Sequence, residues 1–246
     1  MHLSILTGAS RGLGRAIAAQ LLARGHHVLA LSRQTADLPV PAGAQLTAWS
    51  VDLADALAVA DRLAHWLHEL DAAALQSATL INNAGVVSQL APLSTVAGDD
   101  LVRALRVGLE APTLLTAAFL RATEGWPVPR KVVLVSSGLG RRAMAGSASY
   151  CAAKAGLDHL ARAVALEEQA KPNGARIVAL APGVIDTDMQ GQLRRADAAL
   201  FPKRERFIGL QAGGQLDSPA EAAAKLLQYL DRPGFGEPPV GDVRDA

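Results

Sequence analysis

Near its start the chain passes from the apolar run Leu3-Ser4-Ile5-Leu6 through Thr7-Gly8-Ala9-Ser10-Arg11-Gly12-Leu13-Gly14 into the helical pattern Ala16-Ile17-Ala18-Ala19-Gln20-Leu21-Leu22. Few local structures accept three glycines at this spacing between a strand and a helix. Gly8 permits a tight turn, Gly12 lets a pyrophosphate reach the backbone, and Gly14 lets the helix pack closely on the sheet. The first N–H groups of the helix then face the anion. The segment predicts a βα unit that binds a dinucleotide, with Gly8, Ser10, Arg11, Gly12, Leu13 and Gly14 as candidate contacts.

The second strand pattern, His27-Val28-Leu29-Ala30-Leu31, ends in Ser32-Arg33. An NAD-preferring site usually places an acidic residue there to hold the ribose 2′-hydroxyl. A basic residue instead suits a 2′-phosphate, because the guanidinium offers a fork of donors to it. Arg33, assisted by Arg11, therefore predicts NADPH in preference to NADH.

Further strand-like runs fall at about 45–51, 78–82, 131–136 and 175–181, with helical patterns near 54–70, 100–121, 150–169 and 218–230. Such alternation predicts an α/β fold: one Rossmann-type, doubly wound domain over 1–246, mostly parallel, with helices on both faces and ligands at the carboxyl ends of the strands. At 246 residues and 50% hydrophobic content the chain can bury a sizeable core. Segments 39–43 and 126–129 read as loops. Residues 234–240 read as a short final strand, at an edge because of its prolines.

The formal net charge is +1 and aromatics make up 4% of the chain, which argues against a nucleic-acid partner. No charged leader followed by a long apolar segment opens the chain, and no stretch approaches about 18 uninterrupted apolar residues, so a soluble, cytoplasmic protein without a membrane partner is expected. The single cysteine, Cys151, excludes an internal disulfide framework and reads as a buried thiol. His65 and His68 lack a convincing third ligand, and no catalytic metal is expected.

Tyr150 and Lys154 stand four residues apart, on one face if the segment is helical. A phenol has an unperturbed pKa of about 10, and an adjacent ammonium should pull it down towards the usable range of an acid or base. The pair therefore predicts proton transfer.

In order along the chain come the glycine turn, Asp52-Leu53, Asn82-Asn83-Ala84-Gly85, Ser136-Ser137, Ser149-Tyr150-Cys151-Ala152-Ala153-Lys154 and Pro182-Gly183-Val184-Ile185-Asp186-Thr187. In these motifs and their order the chain resembles the short-chain dehydrogenase/reductase family over nearly its whole length. Ser137 precedes Tyr150 by the separation that the family's serine, tyrosine and lysine use. The resemblance implies that Tyr150 protonates a carbonyl oxygen as hydride arrives, that Ser137 holds the same oxygen, and that Lys154 lowers the tyrosine pKa and contacts the nicotinamide ribose. It implies further that Asp52 accepts from the adenine amino group with Leu53 packed nearby. Asn83, Ala84 and Gly85 would line the adenosine ribose, and Pro182, Gly183, Val184, Ile185 and Thr187 would lie at the nicotinamide.

One position departs from the pattern. Val107-Gly108-Leu109 puts glycine where the family commonly carries an asparagine that retains a water in the proton path. Reduced but real activity is expected, and an NADPH-binding sensor with impaired chemistry is the second reading. The finer resemblance is to the branch of bacterial benzil reductases and sepiapterin-reductase-like enzymes, which implies a ketone or diketone substrate in a pocket lined by Leu139, Met144, Val184 and Met189. Arg141 and Arg142 read as a solvated pair. Residues from about 186 to 216 exceed an ordinary connection and are expected to form a mobile lid. The family's habit implies a homodimer or homotetramer, and the ending Gly241–Ala246, without a glycine-rich tail, favours the dimer.

Overall fold

The structure is a computed structural model that describes every residue except Ala36 and Ala246. The last residue of the ending just discussed therefore lies outside the described residues. Seven strands form one sheet: β1 (His2–Thr7), β2 (His27–Ser32), β3 (Gln45–Ser50), β4 (Ser77–Asn82), β5 (Arg130–Val135), β6 (Arg176–Ala181) and β7 (Val240–Asp242). Their spatial order is β3-β2-β1-β4-β5-β6-β7, and every neighbouring pair is parallel. The order reverses between β1 and β4, which opens a crevice above their carboxyl ends.

Side chains of period two divide each inner strand between two cores. Leu3, Ile5, Leu29, Leu31, Val132 and Leu134 face one side, packed under α2 (Ala56–His68), α4 (Ala111–Ala122) and α5 (Ala148–Gln169). Leu6, Val28, Ala30, Val133 and Val135 face the other, under α1 (Gly12–Ala23) and α8 (Pro219–Asp231). Burial on both faces explains why these strands read as continuous apolar runs.

The final strand starts later than expected. Residues 234–239 are irregular, and the strand register with β6 begins at Val240, at the sheet edge, with the Pro239 carbonyl accepting from Ala179 N–H at 2.9 Å. The long helical pattern at 100–121 is also interrupted. α3 (Gly98–Leu105) passes into a π-helical turn, Arg106–Glu110, before α4 begins. Gly108 is buried in that turn, and a Cβ there would stand 3.2 Å from the Cβ of Ala153 on α5. Glycine thus brings the turn close to the residue preceding Lys154. Between β6 and α8, the segment expected to be a loop carries two helices, α6 (Asp188–Arg195) and α7 (Arg204–Ala212). Its ends are tied together where Asp217 donates from its N–H to Val184 O and accepts at its carbonyl from Asp186 N–H, each at 2.9 Å. Phe201, 0% exposed, packs with Leu193 of α6 and anchors the excursion to Leu90.

Candidate active site

A cleft of about 1010 Å³ lies at the carboxyl ends of the strands, and every cofactor, catalytic and substrate residue singled out from the sequence lines it. At one end is the glycine turn. Gly8 and Gly12 have φ of +72° and +52°, a region that favours glycine. A Cβ on Gly14 would stand 2.1 Å from the carbonyl oxygen of Gly8, so close packing of helix on turn requires glycine. No side chain caps α1 at Arg11, which leaves its N-terminal N–H groups without that internal partner. The turn is a cradle of the kind that a pyrophosphate fills.

Thr7 braces this cradle, and the motif reading missed it. Its hydroxyl accepts from the N–H groups of Asn83 and Ala84, both at 2.9 Å. Asn83 in turn donates from Nδ2 to the carbonyls of Thr7 and Gly8, at 3.0 and 3.3 Å. The Asn83 amide is thus engaged in holding β4 to the turn, although its residue borders the cleft. Asp52 accepts from Ala54 N–H at 3.0 Å, capping a helical turn while lining the cleft. Arg33 is exposed on the cleft wall. Arg11 does not turn towards it. Its guanidinium pairs with Asp188 at 3.0 Å, joining the glycine turn to α6 across the mouth. Both partners are mostly exposed, so the pair is weak and exchangeable.

At the other end, Ser137 begins the turn after β5, and Tyr150 and Lys154 project from the first turns of α5. Ser137 Oγ accepts from Leu139 N–H at 3.2 Å, which leaves its own hydrogen to be donated elsewhere. Lys154 is buried and donates from Nζ to Val135 O at 2.6 Å, with Nζ 5.5 Å from the centre of the Tyr150 ring. This corrects the expected tyrosine pKa. Burial pushes the phenol above its ordinary value, with the Ser137 hydroxyl acting in the opposite sense. Burial likewise brings Lys154 down to about 8, opposed by Asp158. The lysine addresses a backbone carbonyl, and its charge does not offset the effect of burial on the phenol as the i,i+4 spacing suggested. The arrangement offers a protonated phenol and a serine hydroxyl at one place.

Leu139, Met144, Val184 and Met189 line the cleft beside these groups. The sequence reading missed their neighbour Phe207, which lines the same wall and stacks on Phe201 with ring centres 5.8 Å apart. It also missed Gln190, buried on α6 with no partner for Oε1. Arg141 is exposed but not free. It donates from Nε to the buried Asp158 at 3.1 Å and from Nη2 to Gly241 O at 2.9 Å, clamping α5 to β7. Cys151 is half-buried, not buried, because its position on α5 faces partly outward.

His65 pairs with Glu69 at 3.4 Å on the exposed side of α2. Among the described residues no helix is long and apolar enough to cross a membrane.

The family model for short chain dehydrogenase matches residues 3–198. The benzil reductase ((S)-benzoin forming) of Bacillus cereus is 34% identical over 99% of this chain and 98% of its own. The sepiapterin reductase of Rattus norvegicus is 33% identical over 94% of this chain and 92% of its own. Among solved structures, a putative 2-deoxy-d-gluconate 3-dehydrogenase from Agrobacterium tumefaciens with bound NADP superposes with a TM-score of 0.73, at 30% identity over 91% of this chain and 86% of that one. With a matching family model across most of its length, the glycine cradle at one end of the cleft and the serine, tyrosine and lysine at the other, this chain belongs to the short-chain dehydrogenases.

Proposed function

We propose that the protein is an NADPH-dependent reductase that converts a ketone or diketone flanked by apolar groups into an alcohol. The observation that carries this reading is the single cleft that joins the glycine cradle and Arg33 to Ser137, Tyr150 and Lys154. NADPH, when bound, supplies the hydride. The Gly8 to Gly14 turn holds the pyrophosphate, and Arg33 receives the 2′-phosphate. Ser137 donates its hydroxyl hydrogen to the substrate oxygen, and Tyr150 gives that oxygen its proton as negative charge develops there. Lys154, while charged, favours the phenolate that remains. Leu139, Met144, Val184 and Met189 enclose the apolar flank and keep water from the reacting carbon. The benzil and sepiapterin reductases among the relatives support carbonyl reduction in this branch.

With benzil as acceptor, kcat/KM should favour NADPH over NADH by at least about tenfold, the scale of one or two charge-assisted hydrogen bonds. Arg33→Asp should erase or invert that ratio. A wild-type preference for NADH would refute the assignment of Arg33.

A further inference from the structure

Three cations at the substrate end have no role in this chemistry. Arg142, Lys203 and Arg206 line the cleft beside Met144, Met189 and Phe207. Arg142 lies on the segment that follows Ser137, and its Nη2 is 2.9 Å from where a Cβ on Gly138 would stand. The guanidinium therefore folds back over the residue next to Ser137. Lys203 and Arg206 come from a separate element, the start of α7 in the excursion between β6 and α8.

Their sequence neighbours have partners. Arg141 pairs with Asp158, and Arg204 pairs with Glu205 and donates to Arg194 O. Among the described residues no carboxylate lies within ion-pair distance of Arg142, Lys203 or Arg206. The carboxylates lining the cleft are otherwise engaged: Asp188 with Arg11, Asp242 with Arg244, and Asp52 with the N–H of Ala54. Three like charges from two segments thus border one cleft without a carboxylate partner, and an entering anion would meet their combined positive charge.

We propose that the substrate is an oxo acid, with a carboxylate within a few bonds of the carbonyl held by Arg142, Lys203 and Arg206, and an aryl or alkyl group against Met144, Met189 and Phe207. The closeness of Arg142 to Ser137 sets the short spacing, since Ser137 holds the carbonyl oxygen. A planar guanidinium suits a carboxylate through two parallel hydrogen bonds. In the reaction, the carbonyl carbon gains the hydride and its electron pair as a new C–H bond. The C=O π pair moves to oxygen, which takes the Tyr150 proton. The products are a hydroxy acid and NADP⁺, and solvent reprotonates the tyrosine. This rests on the reductase reading above and replaces one of the two apolar flanks named there with a carboxylate.

The test compares phenylglyoxylate with its methyl ester at saturating NADPH, with benzil as the neutral reference. The acid should exceed the ester in kcat/KM by at least about tenfold. The ratio should fall with added salt and approach one in the triple variant Arg142→Gln, Lys203→Gln, Arg206→Gln, whose fold is checked by its thermal melting curve. Calorimetric titration of the NADP⁺-loaded protein should show mandelate binding more tightly than methyl mandelate, with the difference lost in the triple variant. An ester reduced as well as the acid, or mandelate binding untouched by the triple substitution, overturns the proposal and leaves the reductase reading intact. Reduction of benzil without the acid does the same. If benzil, acid and ester are all refused, the reductase reading falls and the oxo-acid assignment with it.

Discussion

Tyr150→Phe is expected to lower kcat for carbonyl reduction by about a thousandfold, within the usual contribution of a general acid, while NADPH affinity stays within about twofold. The substitution removes one oxygen and keeps the ring that packs at the start of α5. Burial raises the phenol pKa, so the wild-type tyrosine is protonated and able to donate throughout the neutral range. The pH dependence then comes from its neighbour. Burial sets Lys154 at about 8 against the opposing effect of Asp158. Below that pH the ammonium favours the phenolate left after proton transfer, and above it the charge is gone. Turnover should therefore decline as pH rises through about 8. Single-turnover rates across pH 6 to 10 would show it, and a mutant with near wild-type kcat, or a flat wild-type profile, would contradict these roles.

Gly14→Ala should damage both stability and cofactor binding. The new Cβ would stand 2.1 Å from Gly8 O and 2.5 Å from Asn83 Nδ2, and the first of these is backbone that cannot swing aside. Either α1 moves away from the sheet or the glycine turn opens. We expect a loss of about 3 kcal/mol, which in a chain of this size lowers Tm by about 9 °C. NADPH binding, followed by its fluorescence, should weaken strongly because the same turn holds the pyrophosphate. Gly98→Ala is the control: a Cβ there meets nothing within 4 Å, and the melting temperature should stay near that of the wild type. Wild-type melting in Gly14→Ala would show that the turn is looser than its geometry implies.

Much of this molecule was legible before its coordinates, because its strongest signals are local. The glycine turn announces itself within eight residues, and the buried parallel strands appear as short apolar runs whose ends fall within a residue or two of those observed. The glycine turn, Arg33, Asp52 and Asn83 were found because each follows a strand, whereas Tyr150 and Lys154, inside α5, came from their spacing and from the order of the motifs. Contacts across long sequence separations were not legible. Nothing near Arg11 reveals Asp188, 177 positions away, and nothing near Arg141 reveals that Gly241 accepts from it. The spacing of Tyr150 and Lys154 places them on one face of α5, yet the direction of Nζ depends on the carbonyl of Val135, which only the sheet brings near. The helices between β6 and α8 escaped because their sequence, rich in charged residues and glycine, carries no sustained apolar stripe, and Phe201 anchors them by burial elsewhere. Gly108 was noticed for the asparagine it replaces, whereas the structure adds a π-helical turn and contact with Ala153.

The central claim is carbonyl reduction at the expense of NADPH. It is tested most directly by incubating the protein with benzil and NADPH and measuring cofactor loss together with benzoin formed. The account predicts one benzoin for each NADPH oxidised. Tight NADPH binding with no alcohol formed, across benzil and a small panel of ketones and diketones, would contradict it and leave the NADPH sensor with glycine at position 108 as the reading to pursue.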